Sequence, residues 1–256
     1  MSRTGLATLI CLLLSFIATS PAAAASCEAV IWREYRGTKL WKLPESDAYF
    51  YVVNRISIDA DGAPNAYAPG NRGIDDLRNA GFPNGAWRSI LVVDPQHPDR
   101  PFVQPDGETA GFFISMTTLQ DLTLPVTDVH RYVDATRIPY LVFPGAFWAL
   151  PGTGDFGDLT VARHIQSGKE SSAVVADKGP RNASLGEISI RLAENLGGRN
   201  VSPRHGTDLQ GPFLYVVFPK SKAQPRWPLT VEQIQERAQS LLGALGGWER
   251  ILPCIG

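Results

Sequence analysis

The sequence predicts a strand-rich α+β protein, with a compact β-barrel or β-sandwich core, long loops and a few peripheral helices, including a C-terminal helix. Three observations carry that reading. Short β-type runs alternate with clusters of Pro, Gly, Asn and Asp. Two stretches show a helical period. The composition, 44% hydrophobic and 19% charged over 256 residues, suits a globular chain able to bury a sizeable core.

At the N-terminus, Arg3 precedes an apolar run from Leu6 to Ala18, followed by Pro21 and the small residues Ala22 to Ser26. This is the layout of a cleaved secretory signal over residues 1–25, leaving a single domain over 26–256 that is secreted to a periplasm or to the medium. The apolar run is too short to span a bilayer comfortably. Strand candidates follow at Tyr49 to Ile58, Ser89 to Val93, Gly111 to Ser115, Tyr140 to Phe143, Leu159 to His164, Ser172 to Ala176 and Phe213 to Phe218. The helical period appears from Glu187 to Leu196, closed by Gly197, and again from Thr230 to Leu245. In the second stretch Thr230 and Gln233 form a capping box, and Ile234, Ala238, Leu241 and Leu245 share one face.

Cleavage of the signal would remove Cys11 and leave Cys27 and Cys254, one near each end of the mature chain. In an oxidising compartment these two pair as a disulfide; free thiols or a lipidated Cys27 are the alternatives. Net charge is −1, which makes nucleic acid an unfavourable partner. Acidic residues crowd the first two thirds of the chain, Asp75, Asp76 and Asp134 among them, a distribution suited to a cationic substrate or simply to solvated loops. The four histidines lack metal-ligand spacing, and neither a nucleophile elbow nor a phosphate-cradling glycine loop is present. These patterns call for no cofactor and no bound metal.

From Val174 to Gly197 an apolar strand runs into Asp177, Gly179-Pro180 breaks it, and a new periodic run opens near Glu187. Two carboxylates thus frame one turn-rich loop. Each also has a structural reading. Asp177 before Gly-Pro can close a turn, and Ser184-Leu185-Gly186-Glu187 fits a helix capping box. That helix start would favour an ionised Glu187.

The segments A-D-K-G-P at Ala176 to Pro180, L-G-E-I-S-I-R-L-A at Leu185 to Ala193 and I-D-A-D-G-A-P-N-A-Y at Ile58 to Tyr67 resemble the chitosanases of glycoside hydrolase family 75. Further similar segments lie at Gly73 to Gly81, Ser115 to Asp121, Arg131 to Ala135 and Ile138 to Gly145. The resemblance implies an inverting endo-hydrolase of the β-1,4 bonds of chitosan, with Asp177 and Glu187 as its essential pair and Glu187 as proton donor. Asp59 or Asp61 would bind a sugar amino group, unless Asp59-Ala60-Asp61-Gly62 is only a solvated turn. The motif is not a calcium loop of the EF-hand kind, because Pro64 and Gly70 occupy its glycine and glutamate positions. Tyr67, Tyr132 and Trp148 are either stacking platforms for sugar rings or core aromatics. The expected partner is chitosan or a related cationic glycan, met by a monomer. The rival readings are a hydrolase of another aminosugar polymer, such as partly deacetylated chitin or peptidoglycan, and a carbohydrate-binding envelope protein without catalysis.

Overall fold

A computed structural model describes residues 27–255. The secretory signal expected over residues 1–25 lies outside the described residues. Nine strands are present: β1 (Val30–Tyr35), β2 (Thr38–Lys42), β3 (Tyr49–Val53), β4 (Ser57–Asp59), β5 (Tyr140–Pro144), β6 (Leu159–His164), β7 (Glu170–Gly179), β8 (Glu187–Ser189) and β9 (Phe213–Phe218). They form one sheet in the order β1-β2-β3-β9-β6-β7-β5-β8-β4. Its pairs are antiparallel except β5 with β7 and β4 with β8. Around it stand α1 (Gly145–Trp148), α2 (Ile190–Asn195), α3 (Val231–Ala244) and α4 (Gly247–Ile251).

The protein is therefore strand-rich α+β with a C-terminal helix, as its pattern predicts. The expected barrel or sandwich is corrected to one open sheet with β1 and β4 at its edges. Alternation marks which residues are strands but not which strands are neighbours, and β4 has only three residues before the Asp59 carboxylate turns the chain by accepting from Asp61 N. So short an edge is a poor seam for closing a barrel.

The central strands read as continuous apolar runs because they are covered on both faces. Ala173, Val174, Val175 and Ala176 are all fully buried, and so are five of the six residues of β9 to within rounding. One layer of cover is α3, which packs on β6 and β7 through Ile234, Ala238 and Leu242. Its start is the capping box read from the sequence: Thr230 Oγ1 accepts from Gln233 N, and Gln233 Oε1 accepts from Thr230 N. Leu242 takes the deep position expected for Leu241, a shift of one residue around the face.

Four local expectations change. The run Tyr49 to Ile58 divides into β3 and β4. Ser89 to Val93 and Gly111 to Ser115 form only isolated bridges, Leu91 with Ser115, Val93 with Pro101 and Val103 with Phe113. Pro95, Pro98, Pro101 and Pro105 remove the donors a longer ladder would need. The hairpin β1–β2 was not legible, because a bulge between Ile31 and Arg33 breaks its alternation and both residue faces carry charge. Finally, the helix expected from Glu187 begins at Ile190, with Ser189 as its N-cap accepting from Leu192 N. Glu187 instead opens β8, where it pairs with Ser57 of β4.

Cys27 and Cys254 form a disulfide with a Cα separation of 4.8 Å, joining positions 227 residues apart. Among the described residues no helix is long and apolar enough to cross a membrane.

Candidate active site

Asp177 sits near the end of β7 and Glu187 at the start of β8, with β5 between them. Val142 of β5 pairs with Asp177, and Leu141 pairs with Ile188. Extending that antiparallel register by one residue puts Val142 opposite Glu187. The three residues then form one row across the sheet, and side chains in such a row share a face. Two strand spacings separate the backbones of the two acids, about 10 Å.

Room for Glu187 comes from a missing side chain. A Cβ on Gly179 would stand 2.7 Å from Glu187 Oε2 and 3.1 Å from Val142 Cγ1. The turn residue that ends the strand is thus also the space into which the carboxyl swings.

The two carboxyl groups differ in their partners. Asp177 Oδ1 accepts from Thr118 N at 2.8 Å, Thr118 Oγ1 at 2.7 Å and Lys178 N at 2.8 Å. Burial raises its pKa, and those donors together with the Lys178 charge act against the rise. Among the described residues Glu187 has no such donors. Burial, then the charges of Asp177 and Asp75, push its pKa up to about 7. A helix start does not lower it, because the helix begins three residues later.

Both acids line a cleft of about 730 Å³ together with Asp59, Asp61, Tyr67 and Asp75. Asp59 lies at the end of β4, beside β8, and Tyr140 Oη donates to its Oδ2 at 2.9 Å and to the Asp61 carbonyl at 3.0 Å. Asp59 and Asp61 are 8% and 9% exposed. Burial first, then the Asp177 and Glu187 charges, lifts the Asp59 pKa well above the usual carboxylate range. Asp61 is lifted likewise, by burial and then by Asp59 and Asp177. So many acids in so little water cannot all be ionised at once. Asp75 is ordered by Tyr67 Oη at 3.0 Å, Asn79 Nδ2 at 2.7 Å and Asp76 N at 2.7 Å.

The remaining expected residues lie elsewhere. Asp76 pairs with Arg78 at 2.9 Å on the outside of the same loop. Tyr132 is buried in a small cluster with Val92 and Ile114, and its hydroxyl donates to the Val126 carbonyl. Asp134 closes a turn, accepting from the backbone and hydroxyl of Thr136. Trp148 stacks on Phe156 with the Lys178 amine 5.4 Å from its ring centre, beside the cleft and not in it. Sequence reasoning passed over Tyr140, Thr118 and Arg204. Tyr140 left one signal, a hydroxyl at the head of an apolar strand that has to find a buried partner. Thr118 and Arg204 left none. The Arg204 guanidinium binds the carbonyls of Asn71, Gly73 and Asp75, holding the acidic loop from a distant segment.

Comparison with protein-family models and with curated proteins finds no match for this chain.

Proposed function

We propose that the protein is a secreted endo-chitosanase that hydrolyses β-1,4 bonds between glucosamine units with inversion, needing no cofactor. One observation carries the reading. Two carboxyl groups lie in one cross-strand row over a cleft, Glu187 without donors and lifted to about 7, Asp177 held by three donors to one oxygen.

Glycoside hydrolysis by inversion needs an acid that protonates the leaving oxygen and a base that activates water on the opposite face of the sugar. Glu187 suits the acid, since at neutral pH a large fraction of it keeps a proton. Asp177 suits the base. Its Oδ1 is occupied, which leaves Oδ2 for the water, and the three donors keep the group oriented. Carboxyl groups in inverting enzymes stand about 6.5–9.5 Å apart, a span that a backbone separation of about 10 Å accommodates. The acidic lining of the cleft favours a polymer that carries amines. The Cys27–Cys254 disulfide agrees with an oxidising compartment.

The test is release of reducing ends from chitosan by the purified protein, repeated with Asp177→Asn and Glu187→Gln. Activity in the wild type, lowered on the order of 10²–10⁴-fold in each folded variant, is the expected outcome. Turnover only on acetylated polymer would assign another aminosugar substrate. Binding of chitosan without turnover would leave a carbohydrate-binding protein.

A further inference from the structure

Asp59, Asp61 and Asp177 bring one carboxylate oxygen each to within 4.8 Å of one another. All three are more than nine-tenths buried, at 8%, 9% and 7% exposure. The bonds around them are unevenly shared. Both Asp59 oxygens have donors, Asp61 N and Tyr140 Oη. Asp177 has three on Oδ1. Among the described residues Asp61 Oδ1, a buried atom, has no hydrogen-bond partner. An orphaned, buried carboxylate oxygen is costly unless something positive meets it.

We propose that Asp59, Asp61 and Asp177 form a binding site for a single divalent cation of calcium size. The donor set is all oxygen, the preference of a hard cation. Calcium–oxygen distances of about 2.3–2.6 Å let opposite ligands stand about 5 Å apart, while magnesium at about 2.0–2.1 Å draws them to about 4 Å. Oxygens spread over as much as 4.8 Å therefore fit calcium with less movement. The position is held rigidly. Gly62 follows Asp61 at φ 76°, where a Cβ would stand 2.1 Å from the Val133 carbonyl oxygen, and its N–H donates to Ser115 Oγ. The chain here does not follow an EF-hand loop; one ligand ends β4, one comes from the turn after it and the third from β7, 116 positions further along in the sequence than Asp61. The inference goes beyond the glycan reading and does not rest on it. An ion on Asp177 would keep that carboxylate from water, so cation binding and base catalysis exclude each other at this group.

Calcium chloride titrated calorimetrically into metal-stripped full-length protein, with no glycan present, tests the site. Magnesium chloride and glucosamine hydrochloride serve as parallel arms. One calcium per chain, weaker magnesium, and a loss of calcium affinity on the order of 10–100-fold in Asp61→Asn are expected. Terbium luminescence, quenched as calcium displaces the ion, reads the same site in the wild type if the variant fails to fold. Absence of calcium heat and of terbium signal overturns the proposal, as does an Asp61→Asn protein that folds and binds calcium like the wild type. Heat with glucosamine but not with calcium also overturns it and gives the three acids to an ammonium group. Because no polymer is cleaved in the assay, a negative result leaves the chitosanase reading standing, and a positive one means that calcium and catalysis compete for Asp177.

Discussion

Asp177 and Glu187 are the same chemistry in two settings, and the settings differ by three hydrogen bonds. Donors to the charged form temper the rise that burial gives the Asp177 carboxyl and suit it to the base role proposed above, while burial and neighbouring charges push Glu187 up to about 7. A pH profile follows. With Glu187 as acid, kcat/KM on chitosan falls as pH rises through about 7, since the group then loses the proton it must donate. Stability moves in the same direction. The folded-state pKa of Glu187 lies above its unfolded value, so the folded protein binds more protons between about 4.5 and 7, and unfolding free energy declines across that window. Asp59, Asp61 and Asp177 are raised too and add to the same trend, so Glu187→Gln reduces the decline measured in urea without removing it. A rising stability over that range would sink the assignment. The residue pattern and the family resemblance single out both acids, and both line one cleft. On the roles the sequence pulled two ways, the resemblance implying Glu187 as proton donor and the expected helix start arguing for its ionisation, and the strand pairing removes the second argument.

At the scale of elements, the site depends on where β7 ends and β8 begins. Gly179 is needed for its lack of a Cβ, not for an unusual backbone angle. Gly179→Ala forces the Glu187 carboxyl aside or pushes Val142, and since a misplacement of about 1 Å can cost about 10²-fold in rate, a kcat loss of that order is expected with the far-UV spectrum unchanged. Equal kcat in wild type and Gly179→Ala would show that the pocket has slack. Elements with a strong period or a continuous apolar run were legible, as β6, β9 and the capped α3 illustrate. Three-residue strands were not. Glu187-Ile188-Ser189 carries too few residues for a period of two to separate from a period of 3.6, and its identity is set by hydrogen bonds to β4 and β5. The same limit hides the segment between β4 and β5, which holds its shape through isolated bridges and side-chain bonds to Asp75, Gln104 and Asp134.

For the whole molecule, the Cys27–Cys254 bridge ties the strand at one edge of the sheet to the helices that end the chain. Closing so long a loop restricts the unfolded chain, and the entropy model assigns about 5 kcal/mol to it, an upper figure. Cys254→Ser should therefore lower the urea midpoint substantially, whereas dithiothreitol should leave that variant unchanged while destabilising the wild type. An equal midpoint in oxidised and reduced wild type would contradict this. Composition, apolar runs and caps by themselves determined a strand-rich α+β chain, the central strands, the C-terminal helix, the paired cysteines and the two framing acids, because each of those follows from residues close in sequence or few in number. Only the tertiary structure decided that the sheet stays open, that Glu187 is a strand residue and that Asp59, Asp61 and Asp177 share one pocket. Strand order and carboxylate clustering depend on contacts between segments more than a hundred positions apart, and a local pattern of side chains contains no term for those.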